Sequence, residues 1–307
     1  MSTTIDVEHL PCAERGLALG EPLGGTAPTE RGVLVIEQPG PWGRDAVSES
    51  GLRPIAGDLE AAAATAGLKL LVVRAGTRRY DVSHSRNAWV AGFEPGRRFL
   101  EHLAITDPRD LLGLPLSTTA PTGAGVTTDE PLLLACTHST RDACCARLGL
   151  PLARALMDTG TPTWHCSHLG GHRFAPTMAV LPHGLWLGRV AAPLAAGVVA
   201  DVRAGRIPLP HLRGRAGVSP MAQVAEIAVR EQTGIDGLDD VAITGADGGT
   251  VTLTDVQGGR WSATVTKEPT GTVRAVSCGP DAKREDPGVL RVSLARDDAG
   301  AGPRLDP

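Results

Sequence analysis

A chain of 307 residues, 42 % apolar and 21 % charged with a formal net charge of −4, can bury a sizeable core and has neither a disordered nor a membrane composition. Its 34 acidic residues outnumber its 30 basic ones and no basic stripe occurs, so no nucleic-acid partner is expected. No basic stretch followed by an apolar run opens the sequence, and the apolar segment 190–202 is short and carries Asp201. Neither a secretory signal nor a membrane span is therefore expected.

In chain order, residues 1–30 read as an irregular lead-in punctuated by Pro22, Gly24, Gly25 and Pro28. The β-branched run 33–36 predicts a buried strand ending in the loop Pro39-Gly-Pro-Trp-Gly43. An alanine-rich helix over 58–66 stops at Gly67 and is followed by strands at 68–73 and 88–93. Residues 117–129, rich in Thr, Gly, Ala and Pro, read as a linker. The run 132–135 then predicts a strand that delivers Cys136 at its end. Leu148, Leu152 and Leu156 mark a helix with Pro151 in its first turn, and 163–166 forms the next strand. A hairpin follows over 178–190 across Pro182-His183-Gly184, then a helix over 193–203. This strand–helix–strand–strand–helix order echoes the first unit, which suggests a duplication.

Ser219 is a natural N-cap, Pro220 suits the first helical position and Gly234 ends that helix. Alternating runs at 241–244, 250–256, 260–267 and 273–277 predict a small antiparallel sheet packed on it. Beyond Pro280 a polar tail is expected, apart from 289–294. The expected class is α/β, α+β overall. Its units are an N-terminal α/β unit (1–125), a central α/β unit (126–207) and a C-terminal helix with a small sheet (208–307).

Six cysteines are too few for a disulfide scaffold, and without an export signal the expected compartment is the reducing cytoplasm. Cys136, Cys144, Cys145 and Cys166 crowd into one stretch with His138, His165, His168 and His172. Soft thiolates with imidazoles suit zinc, copper or an iron–sulfur centre, not magnesium. His168 and His172 would share a helix face, but Gly170-Gly171 between them argues for a loop that can curl around a bulky ligand. Both groups follow strands, so they would converge at one end of a sheet. Cys12, Cys278, His84, His102, His183 and His211 are read as isolated packing or surface residues.

Cys136-Thr-His138, Arg141-Asp142, Cys145 and His168-x-Gly-Gly-His172-Arg-Phe-Ala175 resemble the sucrase/ferredoxin-like family. Pro39-Gly-Pro-Trp-Gly-Arg44 and Gly217-Val-Ser-Pro220 extend the likeness over most of the chain. The family is similar to thioredoxin-like [2Fe–2S] ferredoxins in which a histidine pair replaces the second cysteine pair. The resemblance implies a thioredoxin-like cluster unit, and a [2Fe–2S] cluster held by Cys136, Cys145, His168 and His172. It selects Cys145 over Cys144 because the family spaces its cysteines by eight residues, yet the adjacent Cys144 leaves that ligand open. His138, Arg141 and Cys166 are placed around the cluster, Arg141 either stabilising negative charge or pairing with Asp142.

Two neutral imidazoles in place of two thiolates would raise the potential, and an imidazole N–H would make it pH-dependent. The expected role is electron transfer with an unidentified redox partner protein, a carrier rather than a catalyst. No carboxylate pair for glycoside hydrolysis and no dinucleotide fingerprint is found. The alternatives are a structural Cys2His2 zinc module that organises an interaction surface, and a thioredoxin-like thiol oxidoreductase. For the latter no C-x-x-C is present.

Overall fold

The structure, a computed structural model, describes residues 7–76, 85–279 and 282–296. His84 and the tail beyond Arg296 lie outside them.

A central sheet of ten strands runs, from edge to edge, 212–215, 185–187, 178–181, 132–136, 163–166, 68–74, 32–37, 86–92, 99–105 and 126–127. Its first half is built from β1 (Gly32–Glu37), α2 (Ala56–Thr65), β2 (Leu68–Arg74), β3 (Arg86–Gly92), β4 (Phe99–Ile105) and β5 (Val126–Thr127), preceded by α1 (Cys12–Ala18). The second half comprises β6 (Leu132–Cys136), α3 (Ala143–Met157), β7 (Thr163–Cys166), β8 (Met178–Leu181), β9 (Leu185–Leu187), α4 (Ala195–Arg203) and β10 (Leu212–Arg215). In each half a parallel pair joined by a helix (β1/β2, β6/β7) is extended by two antiparallel strands (β3/β4, β8/β9). The thioredoxin-like strand–helix–strand–strand–helix order is therefore present over 132–203.

The parallel strands read as apolar runs because both faces are covered: β1 and β6 are buried almost throughout. One core lies between the sheet and α2, with Leu34, Ile36, Leu59 and Val72; a second lies under α3 and α4, with Leu133, Leu152, Val180 and Val198. On the opposite face the halves share a third core, which includes Val35, Leu71, Leu134, Cys136, Cys145 and Trp186.

The halves join where β2 and β7 pair antiparallel, Val73 facing Cys166 and Arg74 facing His165. These residues sit at the C-terminal ends of both strands. The loops that leave β1, β6 and β7 therefore converge on one seam, the position where open α/β sheets bind ligands.

The remainder is α5 (Pro220–Thr233) packed on β11 (Val241–Asp247), β12 (Thr250–Asp255), β13 (Arg260–Glu268) and β16 (Val289–Arg296), with a ribbon of β14 (Arg274–Ala275) and β15 (Arg284–Glu285). Ser219 caps α5 by accepting from Ala222 N–H, and Gly234 ends it in the left-handed region.

Four expectations change. The fourth strand of the small sheet is 289–296, paired along β13, while 273–277 contributes only to the ribbon. The lead-in holds α1, which has no side-chain N-cap. It is fixed instead by the Arg15 guanidinium, which donates to the carbonyls of Val7, Glu8, Leu10 and Ala275. Helix α3 starts at Ala143, so Pro151 lies inside it rather than in its first turn, on an exposed face where the carbonyl left without a partner is open to solvent. The strand β4 adds to the expected elements. Residues 117–129 run along the sheet edge, where the buried Glu101 carboxylate accepts from the amides of Thr122 (2.6 Å) and Gly125 (2.9 Å).

Candidate metal centre

Cys136 ends β6 and Cys166 sits beside it in register on β7, both fully buried. Asp142 caps α3 by accepting from Cys144 N–H at 2.9 Å, which places Cys144 and Cys145 in the first helical turn. Successive helical residues point about 100° apart, so the two thiols leave the helix in different directions. Cys145 turns toward Cys136 and His168: the three donor atoms all lie within 4.8 Å of one another, with Cys145 Sγ 3.7 Å from His168 Nδ1.

His172 stacks on His168, ring centroids 5.1 Å apart, with its Nδ1 at 3.4 Å from His168 Nε2. It reaches that imidazole but lies outside the compact group of three. Its Nε2 is 2.8 Å from the carbonyl oxygen of Val276. A carbonyl carries no proton, so Nε2 holds the hydrogen and Nδ1 offers a lone pair toward the site. Ligating histidines are commonly oriented this way by their second nitrogen.

The histidine loop bends through Gly170 (φ +77) and Gly171 (φ +67), both in the left-handed region. Arg213 lies beneath it, fully buried, donating to the Gly170 carbonyl at 3.0 Å and to Thr26. A Cβ on Gly171 would come within 2.7 Å of the Arg213 Nη2 atom. Burial weighs against the Arg213 charge, whereas the Cys136 and Cys145 thiols weigh for it.

The Cys136 thiol is held well below its ordinary value, chiefly by a hydrogen bond from Cys145, with His168 and the Leu169 amide assisting against burial. Cys166, by contrast, is pushed well up by burial, as befits a thiol packed in the core.

Around this group, His138 donates from Nε2 to the Gly43 carbonyl at 2.8 Å and meets the edge of Trp42, which donates from Nε1 to the Gln38 carbonyl and lies under the Arg74 guanidinium. The Pro39–Arg44 segment thereby covers the Cys136 loop, and Thr140 Oγ1 also donates to Gly43 O (2.7 Å). His165 lies 3.2 Å from Thr137 Oγ1, and burial lowers its basicity. Arg141 is exposed. Asp142 is bound not to it but to the amides of Cys144 and Cys278, with His172 Nε2 at 3.9 Å. Arg173 pairs with Glu21.

Cys12 and Cys278 are not isolated. Both meet Cys144 and Asp142 in a second group whose donor atoms also lie within 4.8 Å of one another. No local sequence signal marks this convergence, nor the Arg213 and Val276 contacts: all join segments far apart in the chain.

The model of the sucrase/ferredoxin-like family matches residues 23–214, and the chain belongs to that family. No curated protein matches it. Among solved structures, a thioredoxin-like [2Fe–2S] ferredoxin from Aquifex aeolicus is similar at 16 % identity and a TM-score of 0.27, over 30 % of this chain and 97 % of that one. A likeness this distant says nothing by itself about what this chain binds. Among the described residues no helix is long and apolar enough to cross a membrane.

Proposed function

We propose that this protein is an electron carrier that holds a [2Fe–2S] cluster through Cys136, Cys145, His168 and His172. The observation that carries the reading is the donor set. Two buried thiols and one imidazole face each other, and a second imidazole is turned toward the first by the Val276 carbonyl. His172 lying beyond the compact three suits a centre with two metal ions better than one. Such a cluster would accept and release a single electron. The chain's own groups favour the reduced state: two neutral imidazoles replace two thiolates, and the buried Arg213 adds positive charge beneath the loop. His172 holds its proton at Nε2, and added negative charge favours retaining it, so the potential is expected to fall as pH rises. The electron comes from, or passes to, a partner protein.

The test is anaerobic purification followed by iron, acid-labile sulfide and electron paramagnetic resonance of the reduced protein. Iron and sulfide in equal amounts with a resonance signal support the cluster. A colourless protein holding zinc on Cys136 supports the interaction module, and a metal-free protein active in thiol–disulfide exchange supports the oxidoreductase. Cys145→Ser should lose iron and signal while Cys144→Ser keeps both; the reverse would show that the ligand choice is wrong.

A further inference from the structure

Three cysteines and a carboxylate that the electron-transfer reading does not use meet at the start of α3. Cys12 opens α1, Asp142 and Cys144 lie at the α3 N-terminus, and Cys278 follows β14 in the C-terminal segment. Cys144 Sγ and Cys278 Sγ are 3.5 Å apart, and Cys12 Sγ lies 3.6 and 3.7 Å from the two Asp142 oxygens. We propose that Cys12, Cys144, Cys278 and Asp142 form a second, mononuclear metal site for a soft divalent cation, zinc.

The distances suit the ion. A tetrahedral zinc with bonds of about 2.3 Å to sulfur and about 2.0 Å to oxygen has S···S edges of about 3.8 Å and S···O edges of about 3.5 Å. The Cys144–Cys278 and Cys12–Asp142 separations are already close to those values, and all four donor atoms lie within 4.8 Å of one another.

Backbone amides orient two of the four donors. Cys12 N–H donates to Cys278 Sγ at 3.3 Å, and Cys278 N–H and Cys144 N–H donate to the two Asp142 oxygens at 2.8 and 2.9 Å. These are the contacts that orient and charge metal ligands from outside, and the 15-residue helix directs its positive end at the group.

The nearest cations are largely committed elsewhere, Arg147 alone also reaching Cys144. The Arg15 guanidinium is taken up by backbone carbonyls and Arg147 by Glu14, while His172, 3.9 Å from Asp142, gives its Nε2 proton to Val276. Three thiols and a carboxylate with all donor atoms within 4.8 Å of one another are a set that a divalent cation of zinc's softness would complete. A disulfide answers less well. It would consume two of the three thiols and leave the third against a carboxylate.

An open cavity of about 580 Å³, lined by Cys12, Cys144 and Cys278 together with Arg15 and Arg147, gives an entry path. A filled site would clip the first helix and the C-terminal segment to the helix that carries Cys145. It would also fix Val276, two residues from Cys278 and the brace of His172.

The experiment is metal analysis of the full chain purified without chelator from zinc-supplemented medium. Wild-type protein should hold about one zinc per chain besides any iron. Cys12→Ser and Cys278→Ser should lose that zinc, whereas Cys136→Ser should lose iron and keep it; failure of the electron-transfer reading would remove iron alone. Zinc well below one equivalent in the wild type, or zinc retained in both serine variants, would overturn the site. So would a Cys144–Cys278 disulfide found by peptide mapping without reductant. If those serine variants do not fold, Cys136→Ser protein grown with Co²⁺ decides the matter, since its other thiol site is broken: tetrahedral cobalt–thiolate absorption is expected, and its absence overturns the site.

Discussion

Replacing Gly171 with alanine separates the two constraints on the histidine loop. The residue sits at φ +67, where an L side chain costs about 1–2 kcal/mol, partly offset by about 0.4–1 kcal/mol of lost freedom in the unfolded chain. Its Cβ would also press to within 2.7 and 2.8 Å of the Arg213 guanidinium and 2.9 Å of Phe174. Arg213 cannot retreat, because it is fully buried and bonded to Gly170 and Thr26. Overpacking of that kind adds about 1–3 kcal/mol, for a total of about 1–5 kcal/mol. Gly170→Ala is the internal control. It meets the same backbone penalty at φ +77, but its nearest neighbour would be Arg213 at an ordinary 3.8 Å. The backbone penalty is shared, so thermal unfolding followed by circular dichroism should show Gly171→Ala melting about 2–6 °C below Gly170→Ala, at about 2 °C per kcal/mol for a chain of this size. Iron retention should fall further in Gly171→Ala. Equal melting temperatures for the two variants would refute the argument that Arg213 buttresses the loop.

Two further outcomes rest on other parts of the fold. Glu226 bonds the guanidinia of Arg215 and Arg230, each at 2.9 Å, with all three side chains buried. Glu226→Gln leaves two buried guanidinia with backbone carbonyls and, for Arg215, the more distant Asp239, and should cost about 3–5 kcal/mol in denaturant unfolding. Glu130→Gln, which removes an exposed pairing with Arg203 at 3.8 Å, should cost less than about 0.5 kcal/mol; similar losses in both would discredit the buried network. His183 is lowered from its ordinary basicity by burial first and by Arg98 second, so the fold holds it neutral. As pH falls through the histidine range the unfolded chain takes up a proton that the folded chain resists, and stability declines. Urea midpoints should drop between about pH 7.5 and about pH 5.5, and His183→Gln should flatten that slope. An unchanged slope in the variant would exclude His183 as a contributor.

Much of the local structure is legible in the sequence because its cause is local. Runs such as Val33–Ile36 and Leu132–Ala135 are apolar at every position, as strands covered on both faces must be. Ser219, Pro220 and Gly234 mark the ends of α5 through their own backbone chemistry. Gly170 and Gly171 identify a loop between two histidines for the same reason. The family likeness adds the donor types to that loop.

Only the tertiary structure decided the rest. Which of two adjacent cysteines faces Cys136 depends on where α3 begins and which side it lays on β6, and Pro151 pointed to a later start. That Cys12 and Cys278 meet Cys144, that Arg213 underlies the histidine loop, and that 289–296 rather than 273–277 completes the small sheet follow from pairings between distant segments. Periodicity and capping act over a few residues and fix elements. Long-range pairing is settled by how the whole sheet closes its core, and no single stretch of sequence records it.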